Sequence, residues 1–96
     1  DLRNDQGALW ENFVLMERLK FRTYSGVHGG MYFWRTYQQQ EIDLIEERDG
    51  TLFAYECKWS EKHKTRVPPA WAQAYPDTIF KVINPENYQE FVLPWM

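Results

Sequence analysis

An α/β fold with a mixed β-sheet and helices packed on it is predicted by three observations in this 96-residue chain. The elements run helix, three strands, helix, strand, helix. Asp49-Gly50 marks a two-residue hairpin between two of the strands, because both central positions of a type I′ turn need positive φ. The strand after the second helix is then expected to return parallel to a hairpin strand through a right-handed crossover.

Gln6 to Lys20 reads as a helix with Asn4 or Asp5 as its N-cap. Leu9, Phe13, Met16 and Lys20 form one stripe, and Trp10, Val14, Leu15 and Leu19 widen it. A helix apolar around most of its circumference is buried or lies against another element. Glu11 falls between Val14 and Leu15 on the wheel, near Arg18. It is either a rim carboxylate pairing with Arg18 or a third acid directed at the hairpin.

Arg22 to Gly30 is turn-like, with Gly26 and the Gly29-Gly30 pair. Met31 to Thr36 reads as an aromatic strand, and Tyr37 to Gln40 as a polar loop. The hairpin strands follow at Ile42–Arg48 and Thr51–Trp59. Ser60 to Val67 is a basic loop, either a solvated connection or a phosphate-contacting segment through Lys62, Lys64 and Arg66. His63 in that loop lacks a spaced partner for zinc. Pro68-Pro69 opens a short helix over Ala70 to Tyr75, where Gln73 could reach a ligand. Ile79 to Ile83 reads as a buried strand. Asn84-Pro85 is the N-cap and first residue of a last helix that runs to Leu93.

The hairpin carries the chemistry. If Arg48 and Thr51 flank the turn, Asp43 lies opposite Glu56 and Glu41 opposite Lys58, all on one face. The other face carries Ile42, Leu44, Phe53, Tyr55, Cys57 and Trp59, which suits a core. Directly paired carboxylates sit roughly 5 Å apart. At an effective dielectric of about 20 they repel by roughly 3 kcal/mol. A divalent cation between Asp43 and Glu56, with Lys58 beside it, would remove that cost. Carboxylates that splay into water, with Glu41–Lys58 as a surface pair, are the alternative.

Composition bounds the rest. Hydrophobic residues make up 44% and aromatics 18%, enough for a packed core in one domain spanning 1–96. A net charge of −3 argues against binding nucleic acid by bulk electrostatics, although a metal site would itself be acidic. Cys57 is the lone cysteine, so a disulfide framework is excluded and a reducing, cytoplasmic setting is expected. Its thiol reads as a small buried apolar group rather than a nucleophile. No apolar run approaches the ~20 residues of a membrane span. A first residue of Asp rather than Met suggests an excised or processed chain.

A helix bearing Glu11, a strand bearing Asp43, and Glu56-Cys57-Lys58 on the next strand together resemble the PD-(D/E)XK nuclease superfamily. The chain is more closely similar to the C-terminal, nuclease-like domain of a family of prokaryotic AAA-type P-loop ATPases. GALWENFVLMERL, YFWRT, EIDLIEERDG, FAYECKWS and VIN carry that likeness across nearly the whole chain. Ile42 stands where the superfamily pattern has proline, and no Walker motif is present. The resemblance implies a restriction-endonuclease-like sheet in αβββαβα order. It implies that Asp43, Glu56 and the Cys57 carbonyl ligate Mg²⁺ or Mn²⁺, with Glu11 ligating directly or through water. Lys58 would orient or deprotonate the attacking water. DNA would be the substrate, and ATP would bind only in an ATPase part of a longer protein. The alternative function is a non-catalytic module that oligomerises or docks on the ATPase through its aromatic surface.

Overall fold

Asp49 and Gly50 adopt φ of 52° and 79°, the left-handed pair that a two-residue hairpin turn needs. The computed structural model describes residues 2–26, 29–60 and 66–93. The elements are α1 (Leu2–Ser25), β1 (Met31–Arg35), β2 (Glu41–Arg48), β3 (Thr51–Cys57), α2 (Pro69–Ala74), β4 (Ile79–Ile83) and α3 (Tyr88–Val92). The architecture is α/β, with a four-stranded mixed sheet in the order β1-β2-β3-β4. The β1–β2 and β2–β3 pairs are antiparallel.

Four boundaries move most from expectation, the first being the end of α1, which runs on to Ser25 through the start of the segment expected to be turn-like. Helix α1 starts at Leu2, so Asn4 and Asp5 lie inside it rather than capping it. Strand β3 stops at Cys57, and Lys58 follows it with its N–H donated to the Ile83 carbonyl at 2.8 Å. Helix α3 begins at Tyr88 because Asn84 first makes a turn. The Asn84 side-chain oxygen accepts from the Glu86 and Asn87 amides at 2.9 and 3.0 Å.

Residue contacts fall into two compact units. One comprises α1, the segment beginning at Cys57 and the segment beginning at Ile83. In it α1 buries Val14 and Arg18 rather than its widest apolar stripe. Arg18 donates to the Phe91 carbonyl at 2.9 Å and lies over the rings of Phe21 and Phe91. That combination satisfies a guanidinium in an otherwise aromatic setting. Trp10 packs on Trp59 and edge-on to Tyr88, with centroids 5.6 and 5.9 Å away. The stripe Leu9, Phe13 and Met16 stays exposed.

The other unit holds the hairpin, β1, α2 and most of β4. Its core gathers Ile42, Ile45, Ala54 and Trp71, flanked by Trp34, Leu52, Val67 and Phe80. The indole N–H of Trp71 donates to the Thr78 hydroxyl at 2.9 Å, which holds α2 against the start of β4. Both faces of the hairpin are buried. Leu44 and Tyr55 lie on one, Ile45 and Ala54 on the other. The expectation of one apolar and one charged face is corrected accordingly. Strands β2 and β3 are the inner strands of the sheet and α2 covers the second face.

Candidate functional site

The β2–β3 pairs Arg48↔Thr51, Glu47↔Leu52, Glu46↔Phe53, Ile45↔Ala54 and Leu44↔Tyr55 obey the register read from the turn. One step further along, the Asp43 backbone N–H donates to Glu56 Oε1 at 3.0 Å. Glu56 is buried and Asp43 half-buried. The Glu56 carboxylate therefore rests on the Asp43 backbone, and the two acids belong to one stretch of the strand pair.

The reason this amide reaches a side chain is a β-bulge. Tyr32 pairs with Ile45 and Trp34 with Ile42, so β2 advances three residues where β1 advances two. The extra residue of β2 falls at Asp43–Leu44 and interrupts the ladder. A buried amide taken out of a ladder must find another acceptor. Glu56 supplies it. The bulge also brings Ile42 and Ile45, three residues apart, into the same core beside Trp71. Ile42 was expected on the face of Leu44, and the bulge moves it.

Asp43 lines a cavity of about 300 Å³ with Phe33, Trp34, Arg35 and Glu41. Arg35 donates twice to Glu41 Oε2, at 3.2 and 2.8 Å, across β1–β2. Arg35 was not among the residues singled out from sequence. Its signal was present, a cation in the strand preceding the acidic segment.

The remaining expected residues divide by element. Glu11 is half-buried on α1, and Lys58 is half-buried just after β3. Cys57 is fully buried, as expected, and is not in a disulfide. Gln73 is exposed on α2, and Arg66 is exposed ahead of it. Lys62 and Lys64 lie outside the described residues. Among the described residues no group of three or more His, Cys, Asp or Glu side chains is placed to hold a metal. A metal here would have to rest on fewer protein acids and on waters.

Sequence reasoning missed a buried polar cluster on the opposite hairpin face. Glu46 is completely buried and accepts from Arg48 Nη1. Arg48 Nη2 also donates to the Tyr55 hydroxyl at 3.1 Å, and its guanidinium lies 3.8 Å from the Phe53 ring centroid. The signal was parity: Glu46 shares the register of Leu44 and Tyr55, so an acid there had to be buried and partnered.

A family model matches residues 6–90 of the chain, with the description Domain of unknown function (DUF4143). No curated protein and no solved structure matches the chain.

Proposed function

We propose, on the premise that this chain belongs to the family described as Domain of unknown function (DUF4143), that it is a metal-dependent nuclease-like domain. It would hydrolyse DNA phosphodiesters as an accessory to an AAA-type ATPase. The observation that carries this reading is the Glu56 carboxylate held 3.0 Å from the Asp43 amide, beside the cavity that Asp43 lines. Two hard oxygen donors with room for waters suit Mg²⁺ or Mn²⁺, since Mg²⁺ commonly uses one or two carboxylates and keeps several waters. Bound there, the ion would polarise the phosphate and make a water more acidic.

The chain's own groups would do the rest. Asp43 and Glu56 hold the negative charge that attracts a divalent cation, and the Cys57 carbonyl adds a neutral oxygen. Lys58 follows Glu56 by two positions, and its ammonium would orient the attacking water or take part in its deprotonation. Glu11, Lys62, Lys64, Arg66 and Gln73 enter from the sequence reading, Glu11 as a further acid and the others as contacts to the nucleic-acid backbone.

The test is nicking of supercoiled plasmid with Mg²⁺ or Mn²⁺ by the full-length protein and by this domain. Activity that vanishes in Asp43→Asn, Glu56→Gln and Lys58→Ala, with folds intact by circular dichroism, is expected. Absence of cleavage with either metal, together with no Mn²⁺ binding heat in the wild type, overturns the reading.

A second reading is favoured by α1, where Leu9 is 68%, Phe13 49% and Met16 49% exposed. A contiguous apolar helix stripe is a contact surface. A non-catalytic module could use it to dock on the ATPase or on another copy. On this reading Leu9→Glu/Phe13→Glu lowers the sedimentation coefficient of the full-length protein, and the wild type nicks no plasmid with Mg²⁺ or Mn²⁺.

A further inference from the structure

Beside α2, a cleft of about 400 Å³ is lined by Tyr32, Trp34, Trp71, Tyr75 and Glu47, with Ile45 among its apolar residues. Its rings are set in defined orientations. Trp34 meets Trp71 edge-on with centroids 5.5 Å apart, and Trp71 meets Tyr75 at 4.4 Å and 38°. The Trp71 indole N–H is committed to Thr78, so that ring has no donor left for a ligand. The Tyr32 ring folds back over Gly30, where a Cβ would come within 2.7 Å of its Cε2. The electron-rich faces of such rings, not their edges, attract a cation.

Glu47 brings a charge to this aromatic setting. Two other β2 glutamates are neutralised, Glu41 by Arg35 and Glu46 by Arg48. Among the described residues no cation pairs with the Glu47 carboxylate. Its backbone is nonetheless firmly placed. The Glu47 amide donates to Gly30 at 2.9 Å, and a Cβ on Gly29 would lie 2.0 Å from the Glu47 carbonyl oxygen. An anchored acid facing a cleft of aromatic rings is complementary to a cation and repels phosphates.

We infer that this cleft binds a quaternary alkylammonium group. A primary ammonium or a guanidinium would bring several N–H donors to a cleft with one carboxylate, leaving donors unmet. A quaternary nitrogen has no donors. It spreads its charge over methyl groups that pack on rings, which is the chemistry by which aromatic cages take choline and methylated lysine. Free small molecules and methylated protein side chains share that group.

The test titrates the folded wild-type protein with choline chloride, against sodium chloride at matched ionic strength, by tryptophan fluorescence and calorimetry. The control ligand is the uncharged alcohol in which a quaternary carbon replaces the nitrogen. Choline is expected to bind about tenfold more tightly than this isostere. The preference should fall severalfold in Glu47→Gln, and choline binding should be lost in Tyr75→Leu. Both changes are at exposed positions, and circular dichroism checks the fold. A trimethyl-lysine peptide that binds more tightly than choline identifies a protein source, and the reverse order a free small molecule. Equal binding of choline and the isostere, no saturation by choline, or an unchanged preference in Glu47→Gln overturns the assignment.

Discussion

The Asp43 amide is hydrogen-bonded to the Glu56 carboxylate across β2 and β3, at 3.0 Å. One acid therefore serves the backbone of the other. Glu56 has a structural task at the bulge that is separable from any task in chemistry, and the two respond differently to substitution.

Glu56→Gln keeps an oxygen acceptor for the Asp43 amide and removes the charge. Glu56→Ala removes both. Urea unfolding should show Glu56→Ala less stable than Glu56→Gln by about 1 to 3 kcal/mol, the cost of a buried amide without an acceptor. Calorimetry with Mn²⁺ should show lost heat in both. Equal stability of the two variants would mean that the bulge finds another acceptor.

Breaking the Glu46–Arg48 pair leaves a completely buried carboxylate without its cation. Arg48→Leu is expected to cost about 3 to 5 kcal/mol. Replacing both residues by leucine should recover most of that loss, because an apolar pair fills the same space without a desolvated charge. Thermal melts of the two single variants and the double variant close the cycle.

Gly29 and Gly50 both have positive φ, 129° and 79°, yet differ in what surrounds them. A Cβ at Gly29 would strike the Glu47 carbonyl oxygen at 2.0 Å, whereas at Gly50 nothing lies within 4 Å. Gly50→Ala should cost about 1 to 2 kcal/mol, from the left-handed backbone alone. Gly29→Ala should cost clearly more by urea unfolding, because backbone rather than a flexible side chain must move.

Arg18 ties α1 to α3 through the Phe91 carbonyl and ring, with the Phe21 ring of α1 itself also against the guanidinium. Arg18→Met retains much of the packing and loses the charged hydrogen bond, worth about 1.5 to 3 kcal/mol. Amide exchange should accelerate first in α3, which is only five residues long.

The Cys57 thiol is fully buried. Labelling by a thiol reagent should proceed only as fast as the protein opens, and should speed up in Arg48→Leu in step with its lost stability.

The hairpin register was legible because Asp49-Gly50 admits one turn geometry, and a turn sets every pair that follows it. The span of β4 was legible as a short apolar run, although the strand expected to be buried is buried only at Ile83, and α2 was legible from its two prolines. The bulge was not, because it arises from how β1 pairs with β2. Neither Tyr32 nor Trp34 announces a shifted partner in its own sequence. The burial of Glu46 followed from parity but looked like one more surface acid in an acidic segment. The exposed stripe of α1 was legible as apolar, but which face of a nearly all-apolar helix turns inward depends on Arg18 finding Phe91. The Asp43–Glu56 juxtaposition was read for its two charges. Its backbone component depends on the bulge and so stayed hidden.

The extra residue in β2 splits that strand into two halves whose inside and outside are out of phase. Ile42 and Ile45 point to one interior although an odd number of peptide steps separates them. Deleting a single residue between them would restore a regular pleat with both still facing the same interior, whereas straightening the bulge at full length would turn one half of the strand inside out. The length of this segment is consequently as much a determinant of what faces solvent beside Asp43 as the identity of any side chain in it.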